Sequence, residues 1–334
     1  MNMRSVARRA ACLLLLSCAF AHGVDVEPVR PFHGEPEAPT QFVNPDLLIE
    51  TERLAVLLGD GSTPPGASLV VIDARPNEQY AQEHLPGAFC LDSDGFQDGN
   101  DLPYALASRE RVADCARRFG ISPETRIVIY DTHALRLAAR IWFTFWAYGH
   151  NNVCLLEGGL DKWLEEGRRI SDTPSPPPSQ PGTWKPAERL RSICTIDDVK
   201  RFIVPRPPGR FPPTSILDAR SNAEYSGTDL RADAGGHIPG AVNLPWDSLL
   251  APVTSKRPGA RAKGYFVLRE PAEIYALLRA TGLTPKQPVI VYDQSGGRSS
   301  HLLFVLYLMG FTQAVNYNAG WREYGNRKDV EVER

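Results

Sequence analysis

Pro288-Val289-Ile290-Val291-Tyr292-Asp293-Gln294-Ser295-Gly296-Gly297-Arg298-Ser299-Ser300 reads as a short buried strand, a six-residue loop from Asp293 to Arg298, and the start of an apolar helix. The β-branched run is bounded by a proline on one side and a glycine pair on the other, which sets the strand's limits. A loop of this kind at a helix N-terminus makes an anion pocket. Backbone N–H groups converge in it and the helix dipole adds positive potential. The side chain delivered into that pocket is the carboxylate of Asp293.

The same pattern stands earlier in the chain. Arg126-Ile127-Val128-Ile129-Tyr130-Asp131 leads to Arg136 as Pro288 through Asp293 leads to Arg298, with a step of five residues from Asp to Arg in each case. Upstream of each, Asp73-Ala74-Arg75, Tyr80 and His84-Leu85-Pro86-Gly87-Ala88 are matched by Asp218-Ala219-Arg220, Tyr225 and His237-Ile238-Pro239-Gly240-Ala241. Downstream, Leu156-Glu157-Gly158-Gly159-Leu160-Asp161-Lys162-Trp163 is matched by Asn318-Ala319-Gly320-Trp321-Arg322-Glu323-Tyr324-Gly325. Matches in the same order imply a duplicated domain. Alternating short apolar runs and helical patterns imply βα units around a mostly parallel sheet, with ligands beyond the carboxyl ends of its strands.

The boundaries that follow are a first domain over 41–170, a proline-rich linker over 171–185 and a second domain over 186–330. The second half is longer through inserts at 228–235 and 250–264, read as surface loops of the sort that shape access to a site. The chain has 334 residues, 43% hydrophobic, and a net charge of −2 with no basic stripe, which argues against nucleic acid as a partner. Residues 1–21 combine arginines, an apolar run too short to span a bilayer and Ala19-Phe20-Ala21 before a cleavage point. This predicts a secretory signal peptide and export, to a bacterial periplasm, with no transmembrane span in the mature chain. The alternative is a lipoprotein: Leu15-Leu16-Ser17-Cys18 resembles a lipobox, which would leave a lipid anchor on Cys18. Cys90, Cys115, Cys154 and Cys194 are widely spaced, without metal-ligand spacing, and no metal or organic cofactor is expected.

Together the Asp-Ala-Arg, His-x-Pro-Gly-Ala, Tyr-Asp and Gly-Gly-x-x-x-Trp elements resemble the tandem-domain rhodaneses, the thiosulfate and 3-mercaptopyruvate sulfurtransferases, over residues 41–330. The resemblance implies an α/β fold of two tandem domains, each a mostly parallel central sheet flanked by helices. It also implies that the first domain is noncatalytic, its loop residues Asp131 and Arg136 forming the inactive copy. In the second, a Cys would end the strand, attack the outer sulfur of the donor and carry it as a persulfide. That position holds Asp293, which cannot form a persulfide and sets a negative charge where an anionic donor would approach. The expectation is a pseudo-sulfurtransferase. Its loop (Asp293, Gln294, Ser295, Gly296, Gly297 and Arg298) would bind a small anionic ligand or serve a protein partner. The alternative is an active sulfurtransferase using another cysteine.

For Asp293 itself, a loop residue that satisfies the surrounding N–H groups is favoured over a phosphoryl acceptor. An acceptor would need Mg²⁺ and further carboxylates, which the loop lacks. Arg298 is expected to pair with Asp293. His84 and His237 are read as hydrogen-bonding backbone, Asp73–Arg75 and Asp218–Arg220 as structural ion pairs, and His133 and His301 as structural. The run Trp142, Phe143, Phe145, Trp146 and Tyr148 is assigned to core or domain-interface packing.

Overall fold

A computed structural model of the chain describes residues 38–59, 69–96, 106–132, 134–187, 192–203, 215–256 and 264–334. The signal-peptide and Cys18 expectations, and His133, lie outside the described residues. The first half runs β1 (Leu48–Ile49), α1 (Thr51–Leu58), β2 (Leu69–Asp73), α2 (Asn77–Gln82), β3 (Phe89–Cys90), α3 (Arg109–Phe119), β4 (Arg126–Tyr130), α4 (Arg136–Ala147), β5 (Val153–Leu156) and α5 (Gly159–Glu165). The second runs α6 (Ile196–Ile203), β6 (Ser215–Asp218), α7 (Asn222–Tyr225), β7 (Ala241–Asn243), β8 (Leu250–Thr254), β9 (Gly264–Leu268), α8 (Pro271–Ala280), β10 (Val289–Tyr292), α9 (Gly297–Leu308), β11 (Ala314–Asn316) and α10 (Gly320–Tyr324).

Both main sheets are parallel, in the orders β1-β5-β4-β2-β3 and β11-β10-β6-β7. This is the expected α/β architecture. β4 and β10, the strands that end at Asp131 and Asp293, are interior and buried along nearly their whole length, as uninterrupted apolar runs in parallel sheets should be. The duplication extends to single hydrogen bonds. Tyr130 Oη donates to Asp73 at 2.7 Å and accepts from the Leu85 N–H, while Tyr292 Oη does the same with Asp218 and Ile238. Asp73 and Asp218 each grip the arginine two residues on at 2.6 Å, with both members of each pair buried. His84 and His237 bond backbone carbonyls through Nδ1, at 2.8 and 3.0 Å, and stack on Tyr80 and Tyr225. Their structural reading holds.

The two halves meet through α4 and α9, whose buried faces share one core. Trp142 meets Phe304 edge-on at 5.1 Å and Trp146 meets Tyr307 at 5.2 Å, contacts worth ~0.5–1.5 kcal/mol each beyond their buried area. Asn44, ahead of the first sheet, donates to the backbone carbonyls of Tyr307 and Leu308 at the C-terminal end of α9. The aromatic run thus packs where the sequence placed it. Because each of these helices follows a strand-ending Asp loop, packing them together brings the two loops to one interface.

Two expectations need correction. The 250–264 insert holds a strand: β8 pairs antiparallel with β9, Leu250 opposite Leu268 through Thr254 opposite Gly264. Pro252 is accommodated because in a two-stranded ribbon it can sit where no ladder N–H is needed. The proline-rich segment, read as a stiff spacer, is bound along the first half. Ser175 Oγ donates to the Ala88 carbonyl, and the N–H groups of Gly182, Trp184 and Ala187 donate to Arg117, Ile121 and Tyr148. Among the described residues no helix is long and apolar enough to cross a membrane.

Candidate functional site

Asp293 leaves β10 with its side chain 2% exposed and turns back into its own loop. Oδ1 accepts from the Ser295 N–H at 3.2 Å, the Gly296 N–H and Ser299 Oγ at 3.0 Å; Oδ2 accepts from the Arg298 N–H at 3.0 Å. The converging amides are therefore occupied by this carboxylate, as expected for a side chain mimicking a bound anion. α9 begins at Gly297, one residue before the expected loop end, so Arg298 belongs to its first turn. Gly296 caps it at φ 95°, and a Cβ there would also strike the Arg140 guanidinium and the Asn318 side chain. Only glycine fits that turn. Gly320 is required for another reason: a Cβ would collide with the Asp293 carbonyl, which the α10 backbone approaches so closely that Trp321 N–H donates to it at 2.8 Å.

Arg298 makes the expected pair with Asp293 and adds a closer partner that was not expected. Its contact with Asp293 is a long 3.5 Å, whereas Nη1 and Nη2 bond both oxygens of Glu224 at 2.6 and 2.9 Å. Glu224 stands in α7, 3% exposed, where it closes a capping box with Ser221. Burial pushes its carboxyl up, but Arg298 and Ser221 outweigh that and hold it at about 2. Ser-x-x-Glu is the spacing of a helix-start capping box, but nothing local in the sequence tells which arginine reaches its glutamate.

The first-domain loop is also self-filled. Asp131, 1% exposed, accepts from the N–H groups of Leu135, Leu137 and Ala138 at 3.0, 2.8 and 3.0 Å. Ala134 and Leu135 both have positive φ, 54° and 67°, so this loop differs from the glycine-bearing one. Arg136 does not pair with Asp131. It lines a cleft of about 700 Å³ whose other walls come from the second half. Gln294, Ser295, Gly297 and Arg298 of the expected loop line it, with Asp293 at its floor. The 228–235 insert adds Arg231 and Asp233, as its reading as an access-shaping loop anticipated, and α10 adds Arg322. Trp246 gives it an aromatic wall. Four arginines and two aspartates line it, with Arg298 and Arg231 each also paired to a carboxylate behind the lining, Glu224 and Asp229.

Both halves, 52–166 and 208–327, match the family model described as rhodanese-like domain. The chain belongs to the rhodanese family. It is 33% identical to the sulfur carrier protein TtuD of Thermus thermophilus over 87% of this chain and 98% of that protein. It is 31% identical to the thiosulfate sulfurtransferase of Corynebacterium glutamicum over 92% of this chain and 95% of that one. Among solved structures, the crystal structure of YnjE superposes with a TM-score of 0.68 at 22% identity, covering 86% of this chain and 69% of that one.

In these rhodanese domains none of the four described cysteines lines the cleft. Cys154 is buried in β5 and Cys115 in α3, Cys194 is buried ahead of α6, and Cys90 is half-buried in β3. Burial pushes the thiols of Cys90 and Cys115 up to about 12 and raises those of Cys154 and Cys194. A reactive thiolate requires the opposite shift. His301, fully buried on α9, has neither ring nitrogen hydrogen-bonded; burial alone holds it down to about 3, and Trp246 packs edge-on against it. A neutral imidazole sealed from the cleft fits its structural reading. Among the described residues no three His, Cys, Asp or Glu side chains group to hold a metal ion.

Proposed function

We propose that this chain is an exported pseudo-sulfurtransferase. In this reading the second rhodanese domain keeps its cleft for an anionic ligand or a protein partner and has lost persulfide chemistry. The observation that carries it is the Asp293 carboxylate, held by three backbone amides and Ser299 Oγ at the end of β10. By the resemblance, the sulfur-accepting thiol belongs there. A carboxylate is a weak nucleophile, has no sulfur on which to carry a persulfide, and repels an anionic donor. The raised thiols of the four described cysteines support the same reading, because none is prepared as a thiolate.

The test is sulfur transfer from thiosulfate or 3-mercaptopyruvate to cyanide. Wild-type protein should give none above background, and mass spectrometry after thiosulfate should find no cysteine bearing an extra sulfur atom. Asp293→Cys should gain transfer, since the amides that hold the carboxylate would then acidify a thiol. Wild-type turnover abolished by replacing one of the native cysteines would establish the alternative, an active sulfurtransferase. Export rests on the N-terminal composition, and N-terminal sequencing of protein recovered from a periplasmic fraction checks it: cleavage after Ala21 is expected, a lipid-blocked Cys18 is the alternative.

A further inference from the structure

Arg136 belongs to one domain and faces the cleft of the other. It opens α4 in the first half, yet its Nη1 lies 3.9 Å from where a side chain at Gly297 would begin. Among the described residues it has no hydrogen-bond or ion-pair partner. The repeat explains why. Counting from the Asp-Ala-Arg elements, Gln79 of the first half occupies the place of Glu224 in the second. Arg298 finds a buried carboxylate on α7, whereas the equivalent position of the first half holds a neutral residue.

The other cleft arginines are in different states. Arg298 has committed Nη1 and Nη2 to Glu224 and Nε to Asp293, so its fork is spent. Arg231 is locked by Asp229 through Nε and Nη2 at 3.0 and 2.8 Å, which leaves Nη1 on a positioned guanidinium. Arg322 lines the cleft from α10, its main chain tied to the loop by the N–H that donates to the Gln294 carbonyl at 3.0 Å. At the same place in the first half stands Asp161, so this arginine is particular to this cleft.

Size narrows the ligand. A cleft of about 700 Å³ lies within the range that holds a drug-sized molecule. A five-atom anion such as thiosulfate, on the order of two or three waters of ~30 Å³ each, would leave most of it empty. The amide nest where such an anion would seat is already filled by Asp293.

We infer that the cleft is a composite two-domain site for a polyanion with two separated negative groups, one held by Arg136 and the other by Arg231 and Arg322. The inference rests on the pseudo-sulfurtransferase reading and adds the ligand's chemical class. Such a ligand bridges the domains, and its affinity depends on a residue of the half that family resemblance makes noncatalytic.

Isothermal titration at fixed ionic strength tests it, with citrate as a polycarboxylate probe, inorganic pyrophosphate as a phosphoryl probe and sulfate as the compact reference. At least one of citrate and pyrophosphate should bind tenfold or more tightly than sulfate, and which one does so identifies the anionic group. Arg136→Gln should weaken that binding at least tenfold and abolish the probe's upward shift in Tm, while the Tm of the free protein stays unchanged. Equal affinity in Arg136→Gln, sulfate binding as tightly as both probes, or no binding of either probe would overturn the inference. Thiosulfate:cyanide transfer measured on the same preparations separates the two readings. Turnover would sink the pseudoenzyme and leave the Arg136 result standing; absent binding without turnover would sink only the composite site.

Discussion

Arg298 of α9 and Glu224 of α7 face each other in a two-point ion pair, with N–O distances of 2.6 and 2.9 Å across 74 residues of sequence. The pair joins the first turn of the loop helix to the capping box of a helix on the neighbouring strand connection. It therefore fixes the loop from outside, while Asp293 fixes it from within. With both terminal nitrogens engaged by Glu224, Arg298 holds the loop's shape.

Glu224→Gln should destabilise the protein by about 2 kcal/mol at pH 7, because it strands a mostly buried guanidinium beside a neutral amide. Its pH dependence has a definite sign. The Glu224 carboxyl is held at about 2 in the fold against a reference value of 4.5. Its stabilisation is thus complete above pH 4.5 and disappears as pH falls toward 2. Urea unfolding at pH 7 and at pH 3 measures this. A stability gap between wild type and variant that is as large at pH 3 as at pH 7 would contradict the assignment.

Asp293→Asn should cost about 2–3 kcal/mol despite its near-identical shape. The carboxylate offers only acceptors to three amides and the Ser299 hydroxyl, whereas an amide must turn an N–H₂ toward donors that are already there. Chemical denaturation compares the variants. Asp293→Asn as stable as wild type would mean that the loop amides do not depend on this side chain.

The duplication, both strand-ending aspartates, the Asp–Arg pairs and the carbonyl-bonded histidines were legible because each is a local pattern of spacing and residue type. The aromatic run was legible as packing because four large aromatic side chains on one helix, with a fifth just past its end, need a buried partner. What escaped was long-range. Arg298 lies five residues from Asp293 and 74 from Glu224, and sequence proximity showed the longer contact but not the closer one. Arg136 was assigned to its own loop because nothing local shows that α4 and α9 pack together and deliver it to the other half. The β8–β9 ribbon lies in an insert that the first half lacks, so the repeat gave no template for it, and its strand carries Pro252, a residue confined to sheet edges.

Arg140→Met should loosen the second-domain loop from the first domain. Arg140 is 5% exposed on α4, and its guanidinium donates to the Gly296 carbonyl at 3.4 Å and to Asn318 Oδ1. Leu302 holds the equivalent place on α9, so the contact runs one way only. Removing it leaves two acceptors near the loop without this donor, at a cost of about 2–3 kcal/mol. Hydrogen exchange at the amides of residues 295–298 should speed up more than exchange in β4 or β10. Uniform acceleration would indicate global destabilisation and no special hold on the loop.

Asp161 gives the first-domain loop its opposite character, and its titration should show in stability. Burial, then the negative charge of Asp131, push its carboxyl up to about 6 from 3.8, with Arg75 pulling the other way. The folded state therefore binds this proton more tightly than the unfolded chain does, so the residue costs stability as pH rises from about 4 through 6. Asp161→Asn removes a charge that the fold accommodates poorly. It should stabilise the protein by ~1 kcal/mol at pH 7.5, a figure reduced from the full shift for solvent screening, with the gain vanishing at pH 4. Thermal unfolding across that range decides it. An Asp161→Asn variant less stable than wild type at pH 7.5 would show that the carboxylate is held by favourable contacts. The electronegative first-domain loop would then be a stabilised feature, not a tolerated one.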